Sequence, residues 1–423
     1  MTAVVGILNK QGVALAADSA VTVTGRNKKI YNTANKLFSI SKYHPVAVMV
    51  YNSASLVSTP WETIIKMYRS QLKDKSFDTV VNYRDDFIEY LRTNNYFTTP
   101  EKQMNAFIKF VGGHLRELKE NIVDSISTPD ITSDNYNAVV NEKAAQILDE
   151  TILTYGEEPA TTIDFKDYTF ERFIEYSNVI DDVVKLIFTH VSLEDEVILK
   201  IKRLFYNFII GPRIQGTYSG LVFAGFGDNE IYPSISSLLT ENVVDNRLRY
   251  VQQNPINISD DYVAEVVPYA QTDVINLFLK GIDQSIEDLY LETFLKSQKK
   301  ILNGLADKVK DFSSELATII RNYDTSQIVK DLRNEADKIK LDKQINPTLQ
   351  TVAILSKEDL AEMAESLIYL TYLKRRISSD EESVGGPIDV AIISKGDGFI
   401  WKKRKHYFEE HLNKNFFTNY FNR

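Results

Sequence analysis

The second residue of this chain is a threonine, and its position gives it unusual chemical reach. Thr2 carries a hydroxyl, and removal of Met1 ahead of so small a residue leaves a free α-amine on the same residue. That amine titrates at roughly 7.7–8.0, so much of it can accept a proton near neutral pH. A hydroxyl and an α-amine on one residue form the nucleophile-and-base pair of N-terminal threonine catalysis. Many chains begin Met-Thr by chance, so the pair alone decides nothing. Asp18, in LAADS, ends the return limb of an apolar hairpin and comes out close to opposite Thr2. A carboxylate there can orient the amine or a nearby lysine, although taken singly it reads more readily as a solvated Asp at a strand end. Lys36, in NKLFSI, stands directly before a strand. A lysine beside the amine favours its neutral form and stabilises developing oxyanion charge. Taken singly, it is a surface lysine beginning an edge strand.

The elements that must position these residues can be read from periodicity. Residues 3–7 (AVVGI) and 13–17 (VALAA) are apolar runs joined by Asn9-Lys10-Gln11-Gly12, which predicts a hairpin starting at residue 2. KLFSI (36–40) and VAVMVY (46–51) extend a β-rich block over 2–57. A helix is expected at STPWETIIKMYRSQL, with Ser58 or Thr59 as N-cap, Pro60 in the first turn and Glu62 early in it. From 75 to 209 apolar residues recur at three- and four-residue spacing, as in amphipathic helices, with a loop at 128–137. Strand texture returns at 217–238 and 262–270, and residues 284–349 are again helical and highly charged. A helix over 357–377 is capped by Ser356, with Asp359 in its first turn; a loop (378–386) and two strands turning at KGDG follow. Three β blocks separated by helices imply one interrupted α+β core.

Composition narrows the classes. The 423 residues are 43% hydrophobic and 25% charged, ordinary for a folded chain. A net charge of −9 argues against a general nucleic-acid or anionic-membrane binder. With no cysteine, disulfides and thiolate chemistry are excluded. No apolar run is long enough to span a bilayer and the start lacks a signal-peptide pattern, so a cytoplasmic enzyme or assembly subunit is expected. HYFEEH (406–411) places its two histidines five apart, off a shared helix face, and reads as a solvated helix end rather than a zinc site. The aromatic tail FFTNYFNR (416–423) is suited to docking on its own body or on a neighbouring subunit.

TAVVGILNKQGVALAADSAVT…NKLFSI…VAVMVYNSASL resembles the opening of a proteasome β-type subunit, a family of N-terminal-nucleophile (Ntn) hydrolases that includes the HslV-like peptidase. Thr2, Asp18, Ser19, Thr22 and Lys36 fall in the family's order. GLVFAGFGDNEIYPSI, VVPYAQTDVINLFLKGID and the stretch from LSKEDLAEM to GDGFIW resemble its later strands, helices and D-x-x-S-G-G loop. The matched blocks cover about half of the chain, and each alone is short and tolerant.

The resemblance implies a four-layer α/β/β/α sandwich of two packed antiparallel sheets. Its core would take in approximately 2–74, 210–283 and 350–410, with helical insertions at 75–209 and 284–349 and an aromatic tail at 411–423. It implies Thr2 as nucleophile, Asp18 and Lys36 as a supporting ion pair, and Asp380 and Ser383 as the groups that hold the amine. The family's additional serine falls near Gln271–Thr272, where Thr272 can offer its hydroxyl. The oxyanion-hole glycine falls near Met49, and Val384 is an extra residue before Gly385-Gly386. The activity implied is hydrolysis of peptide or amide bonds through a Thr2 ester, with no metal or organic cofactor. A polypeptide substrate and a homo-oligomer are expected, with an unfoldase or adaptor partner left open and no nucleic-acid or membrane partner. An amidase acting on a small amide and a non-catalytic scaffold are the rival readings.

Overall fold

The computed structural model describes residues 2–23, 29–94, 97–126, 135–156, 163–378 and 384–422. The chain opens with β1 (Ala3–Asn9), β2 (Gly12–Ala17), β3 (Val21–Val23), β4 (Lys29–Tyr31), β5 (Leu37–Ser39) and β6 (Val46–Asn52). Two short strands, β7 (Ser55–Leu56) and β8 (Thr59–Pro60), lead into α1 (Trp61–Leu72). A helical stretch follows: α2 (Val80–Thr93), α3 (Pro100–Ser125), α4 (Tyr136–Tyr155), α5 (Phe170–Tyr176), α6 (Val179–Ile187) and α7 (Asp195–Ile210). Strands resume as β9 (Ser219–Gly225), β10 (Ser234–Val244), β11 (Arg247–Gln252), β12 (Ile256–Asn257) and β13 (Ala264–Ala270). Then come α8 (Asp273–Lys280), α9 (Gln284–Val309), α10 (Ser314–Arg321), α11 (Ser326–Lys340), α12 (Asn346–Ile354) and α13 (Lys357–Ile377). β14 (Asp389–Ser394), β15 (Gly398–Lys403) and α14 (Lys414–Asn422) close the chain. The fold is mixed α/β, with antiparallel sheets and many helices.

The chain divides into two compact units, the first being Met1–Ala34, Asn257–Ser394 and Ile400–Arg423. Its five-stranded sheet runs β13-β1-β2-β14-β15, with β1 flanked antiparallel by β13 and β2. Side chains alternate across a strand, so Ala3, Val5 and Ile7 of β1 share a face with Ala14 and Ala16 of β2. Small residues on β2 let α13 lie close, and Leu360, Ala364, Leu367 and Ile368 pack into this core. Removing Ile7 as Ile7→Ala would cost about 2–5 kcal/mol at such a fully buried position. α13 starts as the sequence requires: Ser356 accepts from the Asp359 N–H, while the Asp359 carboxylate accepts from the Ser356 N–H, a complete capping box.

The second unit is Asn35–Ile256 and Lys395–Phe399. Its main sheet follows the path β11-β10-β9-β6-β5. Trp61, Tyr68, Phe87 and Phe223 lead its core, and a separate helical core gathers Phe107, Leu148, Phe173 and Phe205. β11 has no counterpart in the expectation from sequence, and β10 runs past 238 to Val244. The charged stretch Glu241–Arg249 hid both, because its two ends pair inside the unit: Arg249 Nε lies 3.3 Å from Glu241 Oε2, and both residues are buried. Burial works against both charges, pushing the carboxyl pKa up and the guanidinium pKa down, and each partner's charge opposes the shift. The helix start also differs from expectation. Pro60 is the N-cap of α1 without a side-chain cap, while the Thr59 hydroxyl donates to the Phe97 carbonyl at 2.7 Å.

Candidate active site

Thr2 stands at the head of β1 and is only 3% exposed. An ordered strand at a chain end requires its first backbone groups to be satisfied, and here they are. The Thr2 carbonyl accepts from the Gln271 N–H at 3.2 Å, and the Ala3 carbonyl accepts from the Asp18 N–H at 3.1 Å. Asp18 is 1% exposed, and its carboxylate is met by three main-chain donors. Ala3 N–H reaches Oδ1 at 2.9 Å; Ala20 N–H and Gly385 N–H reach Oδ2 at 3.1 and 3.2 Å. The surface reading of Asp18 is therefore excluded. Its carboxylate is a buried anchor bound to the residue that follows Thr2.

The loop after α13 is fastened to the same place. Ser19 N–H donates to the Gly385 carbonyl, and the Ser19 hydroxyl donates to the Pro387 carbonyl at 2.5 Å. Gly386 has φ +78°, and a Cβ there would lie 2.8 Å from Asn32 Cβ and 2.9 Å from the Asn32 carbonyl oxygen. Only glycine meets both conditions without strain. Val384 is 1% exposed and packs in the core of this unit.

On the β13 side, Ala270 pairs with Ala3 and turns with φ +62°, a left-handed conformation that non-glycine residues seldom hold. Gln271 follows, buried, with its side-chain Oε1 accepting from Arg375 Nε at 2.7 Å. Arg375 also donates to Asp273 Oδ1 at 2.6 Å. Thr272 is the half-buried N-cap residue of α8 and makes no side-chain cap bond. Sequence reasoning missed Gln271, Asp273 and Arg375 as a group. Gln271 was visible only as an alignment neighbour of Thr272, and nothing in KRR marks Arg375 as the residue facing it.

Thr2, Asp18, Ser19 and Thr272 thus gather in the first unit. Thr22 belongs to β3, where its backbone pairs with Ile30. Asp380 and Ser383 lie outside the described residues. Lys36 and Met49 belong to the second unit. Lys36 directly precedes β5, at the end of the sheet path, yet is only 5% exposed. A lysine that buried is held by a partner, so it is no surface lysine. Met49 is fully buried within β6, opposite Leu37 of β5 and Val222 of β9, and the neighbouring Val50 N–H donates to the Lys36 carbonyl. Among the described residues no cluster of three or more His, Cys, Asp or Glu side chains could hold a metal ion. No helix among them is long and apolar enough to cross a membrane.

No family model matches the chain, and no curated protein matches it. Among solved structures, similarity is found to Anbu from Hyphomicrobium sp. strain MC1, at 10% identity and TM-score 0.27, covering 100% of this chain and 95% of that one. Anbu (ancestral beta-subunit) from Yersinia bercovieri gives 9% identity and TM-score 0.28, with 99% and 94% covered. The helical assembly of the Anbu complex from Pseudomonas aeruginosa gives 8%, 0.27, 100% and 95%. Superpositions this loose carry no statement about fold or chemistry. With no family model and no curated protein matching, the assignment drawn from the opening stretch is corrected: the chain is not identified as a proteasome β-type or HslV-like Ntn hydrolase. The motifs behind that assignment are short, and a buried hairpin with a strand-end Asp and a glycine turn satisfies most of them on local physical grounds. Nothing in those blocks accounts for the long helical stretches α2–α7 and α9–α12.

Proposed function

We propose that the chain is an N-terminal threonine hydrolase, cleaving a peptide or amide bond with Thr2 after removal of Met1. The observation that carries the reading is the Asp18 carboxylate, buried and bonded through Ala3 N–H to the residue next to Thr2. In this scheme the Thr2 amine takes the proton from Oγ1 as that oxygen adds to the substrate carbonyl. The amine then passes the proton to the leaving nitrogen as the C–N bond breaks, leaving a Thr2 ester. Water, giving its proton to the same amine, adds to the ester; the C–O bond breaks and the proton returns to Oγ1. Fixing the Thr2 carbonyl and the Ala3 main chain removes freedom that an N-terminal nucleophile would otherwise have to lose at the transition state.

Asp18 and the Gln271 backbone act here as positioning groups. Asp380 and Ser383 remain as the groups that hold the amine, and the Thr272 hydroxyl as the substitute for the additional serine.

The test is hydrolysis of an unfolded polypeptide and of a panel of small amides by native chain and Thr2→Ala. The reading expects activity from the native chain on at least one class and a loss of at least ~1,000-fold in the variant. Unchanged hydrolysis in Thr2→Ala, or Met1 retained in active protein, would refute it. A folded chain inactive on both classes would point to the scaffold reading.

A further inference from the structure

Helices α9, α10 and α11, all in the first unit, bury very little of themselves. Glu287 and Ala306 are the only buried residues of α9, Ala317 is the only one of α10, and α11 has none. A helix gains its stability chiefly from an apolar face packed on something, so these faces deserve an account. On α9, Ile286, Tyr290, Ile301 and Leu305 fall on one side at spacings of four, eleven and four, and all are exposed. Beside that stripe runs a second, half-buried one carrying Leu291, Phe294 and Leu302. Leu316 and Ile319 on α10 continue into Phe312 and Tyr323, again at spacings of four, three and four, with Phe312 89% exposed. Ile328, Leu332 and Ile339 form the matching exposed stripe on α11. Periodic apolar faces on three successive helices are the pattern of a packed surface, whereas scattered exposed residues need no explanation.

We propose that α9–α11 form a self-association arm whose exposed stripes pack against the same stripes of a second copy of this chain. Two observations favour a second copy. The exposed area of the stripes is on the order of 1,000 Å² per chain, against the ~800 Å² that a standard interface takes from each partner. The chain as a whole carries −9, yet residues 284–349 hold eleven basic and eleven acidic residues and are neutral. Two arms can therefore approach without the net repulsion that the rest of the molecule carries. Within each arm the Lys340–Glu287 ion pair, at 2.6 Å, ties the end of α11 to the start of α9. Each copy then presents a preformed three-helix arm, with α10 packed on α9, and two arms face to face make an isologous contact. The inference is independent of the chemistry at Thr2.

The native chain has no cysteine, which permits a clean test. Leu305→Cys, on the stripe, should form a disulfide-linked species of twice the chain mass under mild oxidation. Lys299→Cys, exposed on the opposite side of α9, should not. Sedimentation of the full-length native chain should give a dimer mass, and the triple substitution Ile301→Lys, Ile319→Lys and Ile328→Lys should weaken dimerisation by at least ~100-fold. All three positions are exposed, so the far-ultraviolet circular dichroism of the variant should match that of the native chain. A native chain that stays monomeric across a broad concentration series, equal cross-linking at 299 and 305, or a dimer indifferent to the triple substitution would each overturn the proposal.

Discussion

Asp18 in the first unit and Glu241 in the second are both buried carboxylates that collect main-chain N–H groups, and their surroundings differ in one instructive respect. Glu241 accepts from Gln215 and Gly216 N–H and faces Arg249, whose Nη2 lies within hydrogen-bond distance of the carbonyls of Phe208, Gly211 and Arg213. That network stitches the 211–216 segment to β10 and β11 and leaves its charges balanced within a few residues. Asp18 draws its donors from Ala3, Ala20 and Gly385, three segments that converge beside a hydroxyl-bearing residue. The same device closes a loop in one place and fixes the neighbour of Thr2 in the other. Burial of a carboxylate therefore marks no site by itself; what its donors are attached to does.

Breaking each device should separate the two roles. The largest effect is expected for Arg249→Met, which leaves Glu241 buried without its cation. Urea unfolding should show a loss of about 3–5 kcal/mol, with hydrolysis per folded molecule unchanged. Asp18→Asn sets an amide donor against main-chain donors and should cost about 1–3 kcal/mol. Unlike the first variant, it should also lower hydrolysis by at least ~100-fold, read as a fall in kcat with little change in KM. Equal activity losses in the two variants would erase the distinction. Gly386→Ala sharpens it further: φ +78° and the contact with Asn32 predict a cost of about 1–2 kcal/mol, with Asp18 still in place and partial activity retained.

The smallest effect concerns His114, on α3 in the second unit, among the rings of Phe110, Phe205 and Phe208. Burial pushes its pKa below the ordinary value, while the exposed Glu117 and a bond with the Gln215 backbone act the other way. The unfolded chain then binds this proton more readily than the folded one. The stability at stake is fully present above about 6.5 and is lost as pH falls through the lower folded value. A pH series of urea midpoints for His114→Phe should be flatter on the acid side than that of the native chain.

Much of the first unit was legible in the sequence. The 3–7 and 13–17 runs became β1 and β2 because short apolar runs broken by a turn have few other outcomes, and the Ser356–Asp359 capping box is a local event that four residues determine. Asp18 was legible as a candidate, since a hairpin's register places its end opposite its start. Its three donors were not, because Gly385 arrives from 367 residues away. The Arg375–Gln271–Asp273 group was hidden for the same reason: long-range polar contacts leave no periodicity. β11 was missed because its charged residues have partners that only tertiary structure supplies. The stretch 284–349 reads from sequence as helical and highly charged, and its exposed apolar stripes were not legible there, because which helix faces the chain covers is set by tertiary packing.

The central claim is that Thr2 ends the mature chain and is activated there. Intact mass of the purified protein, before and after treatment with a peptide epoxyketone, which bonds to both the amine and the hydroxyl of an N-terminal threonine, tests it directly. The account predicts a starting mass lacking Met1 and a gain of one adduct that maps to Thr2 and is absent in Thr2→Ala. A starting mass that retains Met1, or a chain lacking Met1 that takes up no adduct, would contradict it.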